Sequence, residues 1–413
     1  MDEALYDYVE ARFERLVRDN PVLGTVFGIH EHDDELGDGG RDALLGELIA
    51  DRAHLAAVEA IDPDDLSADA RIERDLELHN VRRAIFDADE LRLWERRSFA
   101  LDTVGEGLFL LFARDHLPLA ERLDSICGRL EAIPAYLDGA RTRASGPQVR
   151  FWQGLEIETA GSLPSFLDDI VTAGDGTLGD AEQRRLERAT RTAKIAVAEY
   201  RAWLDGTLAD GTDEWAVGRE HHDAIVALRA FDGPDSDDIL ELGWEQLAAE
   251  RAARTAAARE VDAAADEATV LDRIRSDHPA TFAAALDGYR DAMHRARRHL
   301  IEHDLVTVPD DERIEIVASP EYLRNQVPFA AYFEPAKFDP EPKGIYIVTP
   351  TVGGADDAMR EHNLASISNT SIHEAYPGHH LQLSVAARHP SLTRLLTDAP
   401  EFVEGWGMYS ELM

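Results

Sequence analysis

Residues 373–380 read His373-Glu374-Ala375-Tyr376-Pro377-Gly378-His379-His380, three imidazoles and a carboxylate in eight positions, and a second block follows at Glu404-Gly405-Trp406-Gly407. A histidine followed at once by glutamate, with more histidine one to two turns on, is how an H-E-x-x-H zinc helix begins. In that motif the histidines at i and i+4 share one helix face. Here i+4 is Pro377, which cannot ligate and removes a helical hydrogen bond. On a regular helix His379, at i+6, points about 120° away from His373. His380, at i+7, returns to the same face but about 10 Å further along, too far to share an ion held at about 2 Å.

Pro377-Gly378 offers a way out. Proline breaks the ladder, glycine permits unusual backbone angles, and a two-residue bulge makes i+6 equivalent to i+4. That selects His379 as the second ligand, with His380 the alternative; the remaining histidine then lies behind the ligands or faces substrate. Glu374, next to the first ligand, is placed as general base on an attacking water and then as proton donor to the leaving amine. The third ligand is expected from the downstream block: Glu404, with Glu411 as the alternative. A His-Glu pair alone means little, and a histidine-rich helix end with chance acidic neighbours is the plain competing explanation. The combination with Pro-Gly-His-His and Glu-Gly-Trp favours a zinc site.

Most of the remaining chain carries helical periodicity. Leu5, Val9, Phe13 and Leu16 stripe an N-terminal helix ended by Pro21, and an irregular glycine-bearing connection with His30 and His32 is expected after it, both histidines solvated. Further helical patterns cover roughly 41–95, 117–144, 163–173, 180–204 and 239–303, and the apolar run 108–112 reads as buried core. Phe231-Asp232-Gly233-Pro234 is the clearest breaker, dividing the chain into an N-terminal helical lobe, 1–232, and a metal-binding lobe, 233–413. Strand signals cluster in 313–349, above all in Gly344-Ile345-Tyr346-Ile347-Val348-Thr349, which is expected to be an edge strand aligning an extended peptide. A last helix is expected to begin within 355–365 and to run into His373. The fold class is therefore mainly α, two-lobed, with a small β-sheet just before the metal-binding helix.

Composition excludes other classes. The 413 residues carry 81 acidic against 42 basic side chains, a formal charge of −39, and such a surface repels nucleic acid and anionic membranes. At molar salt the screening length falls to about 3 Å, so the charge reads as adaptation to a salt-rich, halophilic setting. The single cysteine rules out an intrachain disulfide and a cysteine-based zinc site. The first residues show neither a basic nor an apolar leader region, and no apolar run is long enough to span a membrane. A soluble cytoplasmic protein is the expectation.

The stretches His373–Gln382 and Glu404–Glu411 resemble the two signature blocks of the domain-of-unknown-function 885 family. Asn20-Pro21, Gly28-Ile29-His30, Ser319-Pro320-Glu321-Tyr322-Leu323, Tyr332 and Gly344–Thr349 are similar to it more weakly. The resemblance implies a gluzincin-like helical fold, distantly similar to thimet-oligopeptidase-like and carboxypeptidase Taq-like enzymes, and zinc peptidase activity. Family members usually continue past the Glu-Gly-Trp block, so a chain ending at Met413 is expected to be C-terminally shortened. The function expected is zinc-dependent peptide hydrolysis, with zinc on His373, His379 and Glu404, Glu374 as base and a peptide as partner. The competing expectation is a truncated, non-catalytic metal-binding or interaction protein.

Overall fold

Proline opens a helix near the N-terminus as well as closing one. In the computed structural model, which describes residues 2–229, 233–350 and 359–413, α1 (Asp2–Asp19) buries Leu5, Val9, Phe13 and Leu16 along its apolar stripe. The irregular connection expected next begins instead with α2 (Pro21–Phe27). Pro21 sits in the first turn, where its missing N–H has no intrahelical partner to lose. Gly28, at φ 84°, caps the helix in the left-handed region.

After α3 (Arg41–Glu59) and α4 (Ala68–Phe86), the chain enters the four helices that build the larger core. These are α5 (Ala100–Ala113), α6 (Leu119–Arg141), α7 (Arg150–Gly174) and α8 (Asp180–Thr207). The run 108–112 lies within α5 and is buried except at Phe112, which is partly exposed, as a stretch without a polar residue requires. Helix α8 lies against both α6 and α7, with Leu186, Ala193, Val197 and Tyr200 facing inward. Three further helices, α9 (Arg219–Arg229), α10 (Ser236–Val261) and α11 (Glu267–Ser276), precede α12 (Phe282–Glu302). The expected lobe boundary abuts residues 230–232, which lie outside the described residues.

The predicted strands form one three-stranded sheet: β1 (Ile314–Ala318), β2 (Ala330–Phe333) and β3 (Gly344–Val348), in the order β1-β3-β2. β3 runs parallel to β1, with Ile316 opposite Tyr346, and antiparallel to β2, with Tyr332 opposite Tyr346. The edge position expected for Gly344–Thr349 is therefore wrong. β3 is the central strand, buried at all five positions, and its backbone groups are engaged on both sides. The unbroken apolar run signals this, since an edge strand with one wet face alternates. Successive side chains point to opposite faces. Ile345 and Ile347 join the α5–α8 core, whereas Tyr346 and Val348 join a second core with Tyr289 and Met293 of α12.

Among the described residues four helices follow: α13 (Leu364–Glu374), α14 (His379–Ala386), α15 (Leu392–Leu395) and α16 (Pro400–Glu411). Residues 355–358, where the last helix was expected to begin, lie outside the described residues. α13 starts at Leu364, capped by the Asn363 carbonyl oxygen accepting from the Ser366 N–H. Mainly helical with one small sheet is thus the architecture, at 69% helix and 4% strand.

Candidate metal centre

The interruption at Pro377-Gly378 is larger than the expected bulge. The helix stops at Glu374 and a separate one starts at His379, with Ala375 at φ −116° and ψ −83° turning the chain between them. The Gly378 N–H donates to Ile372 O at 3.0 Å and the Leu381 N–H to Ala375 O at 3.2 Å, tying the second helix onto the end of the first. Only glycine fits at 378, because a Cβ there would lie 1.8 Å from the His373 carbonyl oxygen.

This turn brings the two ligand candidates together. The rings of His373 and His379 meet edge to face with centroids 4.6 Å apart. One oxygen of Glu404 stands 3.5 Å from His373 Nε2 and 3.7 Å from His379 Nε2. Two donors each about 2.1 Å from a tetrahedral ion stand about 3.4 Å apart, so these separations suit a shared ion better than direct hydrogen bonds. The three ligand atoms all lie within 4.8 Å of one another. His379 Nδ1 is buried without a hydrogen-bond partner among the described residues. Burial, and then the neighbouring His373, push the His379 imidazole down, toward the neutral form that a ligand must have. Glu404 is 62% exposed, which leaves one side of the cluster open.

The downstream block explains itself residue by residue. Glu411, the alternative third ligand, instead faces the far side of His373: Nδ1–H donates to its carboxylate at 2.7 Å. A carboxylate on Nδ1 fixes the tautomer with Nε2 free to ligate. Gly407 lets that ring lie flat on α16, since a Cβ would come within 2.7 Å of His373 Cε1. Trp406 Nε1 donates to Pro377 O at 2.7 Å, locking α16 to the turn.

Glu374 is buried at the end of α13 and makes no hydrogen bond or ion pair among the described residues. Burial pushes its carboxyl up to about 7; His373 opposes the rise, and Glu404 and Glu411 add to it. His380, the alternative second ligand, is directed elsewhere. Its Nε2–H donates to Glu312 at 2.7 Å and its Nδ1 accepts from the Tyr332 hydroxyl at 2.8 Å, so both ring nitrogens are occupied. The Tyr376 hydroxyl also donates to Glu312, as does Arg297 Nε at 2.7 Å. Burial alone would raise the Glu312 carboxyl, but these three donors outweigh it and hold it below its ordinary value. Glu312 was not singled out from sequence. It stands 61 residues before His373 with no motif around it, and only its pairing with two residues of the Tyr-Pro-Gly-His-His turn reveals it.

A second cluster gathers His30, Asp33 and His116. The His30 and His116 rings stack in parallel, 3.9 Å apart and 2° from coplanar. Two imidazoles on one ion would have lone pairs converging on it, which face-to-face rings do not allow. His30 instead donates to Asp33 at 2.7 Å through Nδ1 and to Asp339 at 2.7 Å through Nε2. Desolvation opposes the charge, but the two carboxylates raise its pKa to about 9. The solvated loop histidine expected at this position is thus an imidazolium bridge between the loop that follows α2 and the loop before β3.

The whole chain superposes on two solved structures. One is a candidate lipoprotein of unknown function from Shewanella oneidensis (TM-score 0.70, 21% identity, covering 99% of this chain and 77% of that one). The other is a candidate lipoprotein from Colwellia psychrerythraea (TM-score 0.75, 13% identity, covering 100% and 77%). At these identities the likeness establishes the fold. Among curated proteins no sequence matches. The expected cytoplasmic location is corrected by these neighbours, since both are described as lipoproteins. No helix among the described residues is long and apolar enough to cross a membrane. Over residues 21–413 the sequence matches the profile of the bacterial proteins of unknown function designated DUF885, and the chain belongs to that family.

Proposed function

We propose that the protein is a zinc-dependent peptidase. The observation that carries this reading is the convergence of His373 Nε2, His379 Nε2 and a Glu404 oxygen at ion-sharing distances, with Glu374 buried beside them. Two histidines and a carboxylate with an open side are the donor set of a catalytic zinc. A zinc ion bound there supplies a Lewis acid that polarises a carbonyl and acidifies water. The residues of the chain do the rest. Glu411 orients His373, and Gly378 and Trp406 hold the three ligand-bearing helices in register. Glu374, poised near neutrality, takes a proton from the attacking water and returns it to the departing amine. The peptide as substrate rests on the family resemblance and on the open face at Glu404.

The test is hydrolysis of a mixed peptide library in high salt by the zinc-loaded parent and by Glu374→Gln. The expected outcome is cleavage by the parent and a loss of roughly 10²–10⁴-fold in the variant, with zinc retained in both. Equal cleavage by the two proteins contradicts the assignment of Glu374; cleavage by neither contradicts the peptidase.

A further inference from the structure

Away from the metal cluster, Phe27 of α2, Pro335 of the loop before β3, Leu383 of α14, Leu395 of α15 and Phe402 and Val403 of α16 line a cavity of about 460 Å³. Neither His373, Glu374, His379 nor Glu404 lines it, so it is a separate site. Its volume is that of a pocket for a small organic molecule, and its wall is mostly apolar.

The cations on this wall are already engaged. Lys337 Nζ donates to the carbonyl oxygens of Ala387 (2.7 Å) and His389 (2.6 Å), and Arg394 Nε donates to Glu73 at 2.8 Å. The His389 ring is exposed and accepts from the Ser391 N–H at 3.2 Å. The Glu334 carboxyl, on the same wall, makes no hydrogen bond or ion pair among the described residues. Burial pushes it up and Arg114 opposes the rise. Yet that guanidinium donates to the main-chain oxygens of Thr25 (2.6 Å), Val26 (3.1 Å) and Glu334 itself (3.0 Å), not to the carboxylate. Burial raises the Glu106 carboxyl too, Arg114 again opposes it, and Asp102 and Glu334 add to the rise, so one arginine faces more than one acid. Gln382 Oε1, also on the wall, is buried without a hydrogen-bond partner among the described residues. Acceptors left in this state are costly until a donor reaches them.

We propose that this cavity binds a small organic cation, an ammonium group on an aryl or long alkyl body, with the ammonium on the Glu334 carboxylate and Gln382 Oε1 accepting another N–H of the same molecule. The apolar wall takes the body, and the unpaired carboxylate selects a positive head over a neutral or negative one. The site does not depend on the zinc-peptidase reading, since it shares no residue with the metal cluster.

Phenylbutylamine, phenylbutanol and methylamine separate the head from the body; both amines, like lysine, are protonated at pH 7. Isothermal titration is run in molar potassium chloride, which screens the general attraction of cations to a charge of −39. The parent is expected to bind phenylbutylamine roughly tenfold or more tightly than either other compound. Glu334→Gln is expected to remove the preference over phenylbutanol and leave binding of that alcohol unchanged. Leu383→Trp, which fills the cavity, is expected to remove binding of both. No binding of phenylbutylamine to the parent, equal affinity for the amine and the alcohol, or a preference that survives Glu334→Gln overturns the cation site. Methylamine bound as tightly as phenylbutylamine, or phenylbutylamine binding untouched by Leu383→Trp, overturns the cavity as its seat. The three compounds are compared on the parent itself, so a variant that fails to fold leaves the test intact.

Discussion

At the scale of single residues, the proposed zinc site is tested through the side chains that stand behind its candidate ligands. Glu411→Ala removes the acceptor on His373 Nδ1, and such a change costs roughly 10–100-fold in metal affinity, measurable by competition with a zinc chelator. Gly407→Ala puts a methyl group against the His373 ring and is expected to weaken zinc binding in the same assay. The grouping of His373, His379 and Glu404 was legible because metal chemistry favours those residue types and the Pro-Gly break lets the residue after it turn back toward His373. Glu411 could be read only as a spare ligand, because sequence shows that a carboxylate is near but not which ring nitrogen it faces. His30 tests electrostatics elsewhere. An unfolded histidine titrates near 6.5 and the folded one near 9, so its bridge stabilises fully below about pH 6.5 and loses that contribution as pH rises through about 9. The gap in unfolding free energy between the parent and His30→Gln is therefore expected to close over that window, as followed by denaturant titration.

At the scale of elements, the site depends on a turn held from two sides. From one side Trp406 bonds to Pro377 O; from the other Glu312 holds Tyr376 and His380. Glu312→Ala leaves Arg297, Tyr376 and His380 without their shared acceptor. Removing one partner of a buried charged pair costs about 3–5 kcal/mol, and chemical denaturation of this variant is expected to show a loss of that order. Helices were legible here because their stripes are long and regular. The unbroken apolar run of Gly344–Val348 does signal a strand buried on both faces, but its place between β1 and β2 was not legible. Periodicity identifies a strand, but sheet order depends on which segments pair, and β1 and β2 come from stretches broken by proline. α2 was missed because Pro21 reads equally well as the end of one helix and the first turn of the next.

At the scale of the whole molecule, charge and exposed apolar surface stand out. A net charge of −39 destabilises the compact state by self-repulsion until salt screens it. The thermal midpoint is therefore expected to rise steadily from millimolar to molar potassium chloride; a midpoint that falls would show that surface ion pairs outweigh the repulsion. Helix α10 buries none of its 26 residues, and Leu242 and Trp244 are exposed. Its first turns carry Ile239, Leu240, Leu242, Trp244 and Leu247 at helical spacing, yet it rests only on α9 and α11 among the described residues, so the local signal did not report its packing.

The central claim is that His373, His379 and Glu404 hold one zinc ion. Metal content per chain, measured by inductively coupled plasma mass spectrometry after zinc loading and dialysis in high salt, tests it directly in the parent, His379→Ala and His380→Ala. One zinc in the parent, none in His379→Ala and one in His380→Ala is the predicted result. A parent without zinc, or zinc lost from His380→Ala but kept by His379→Ala, would contradict it.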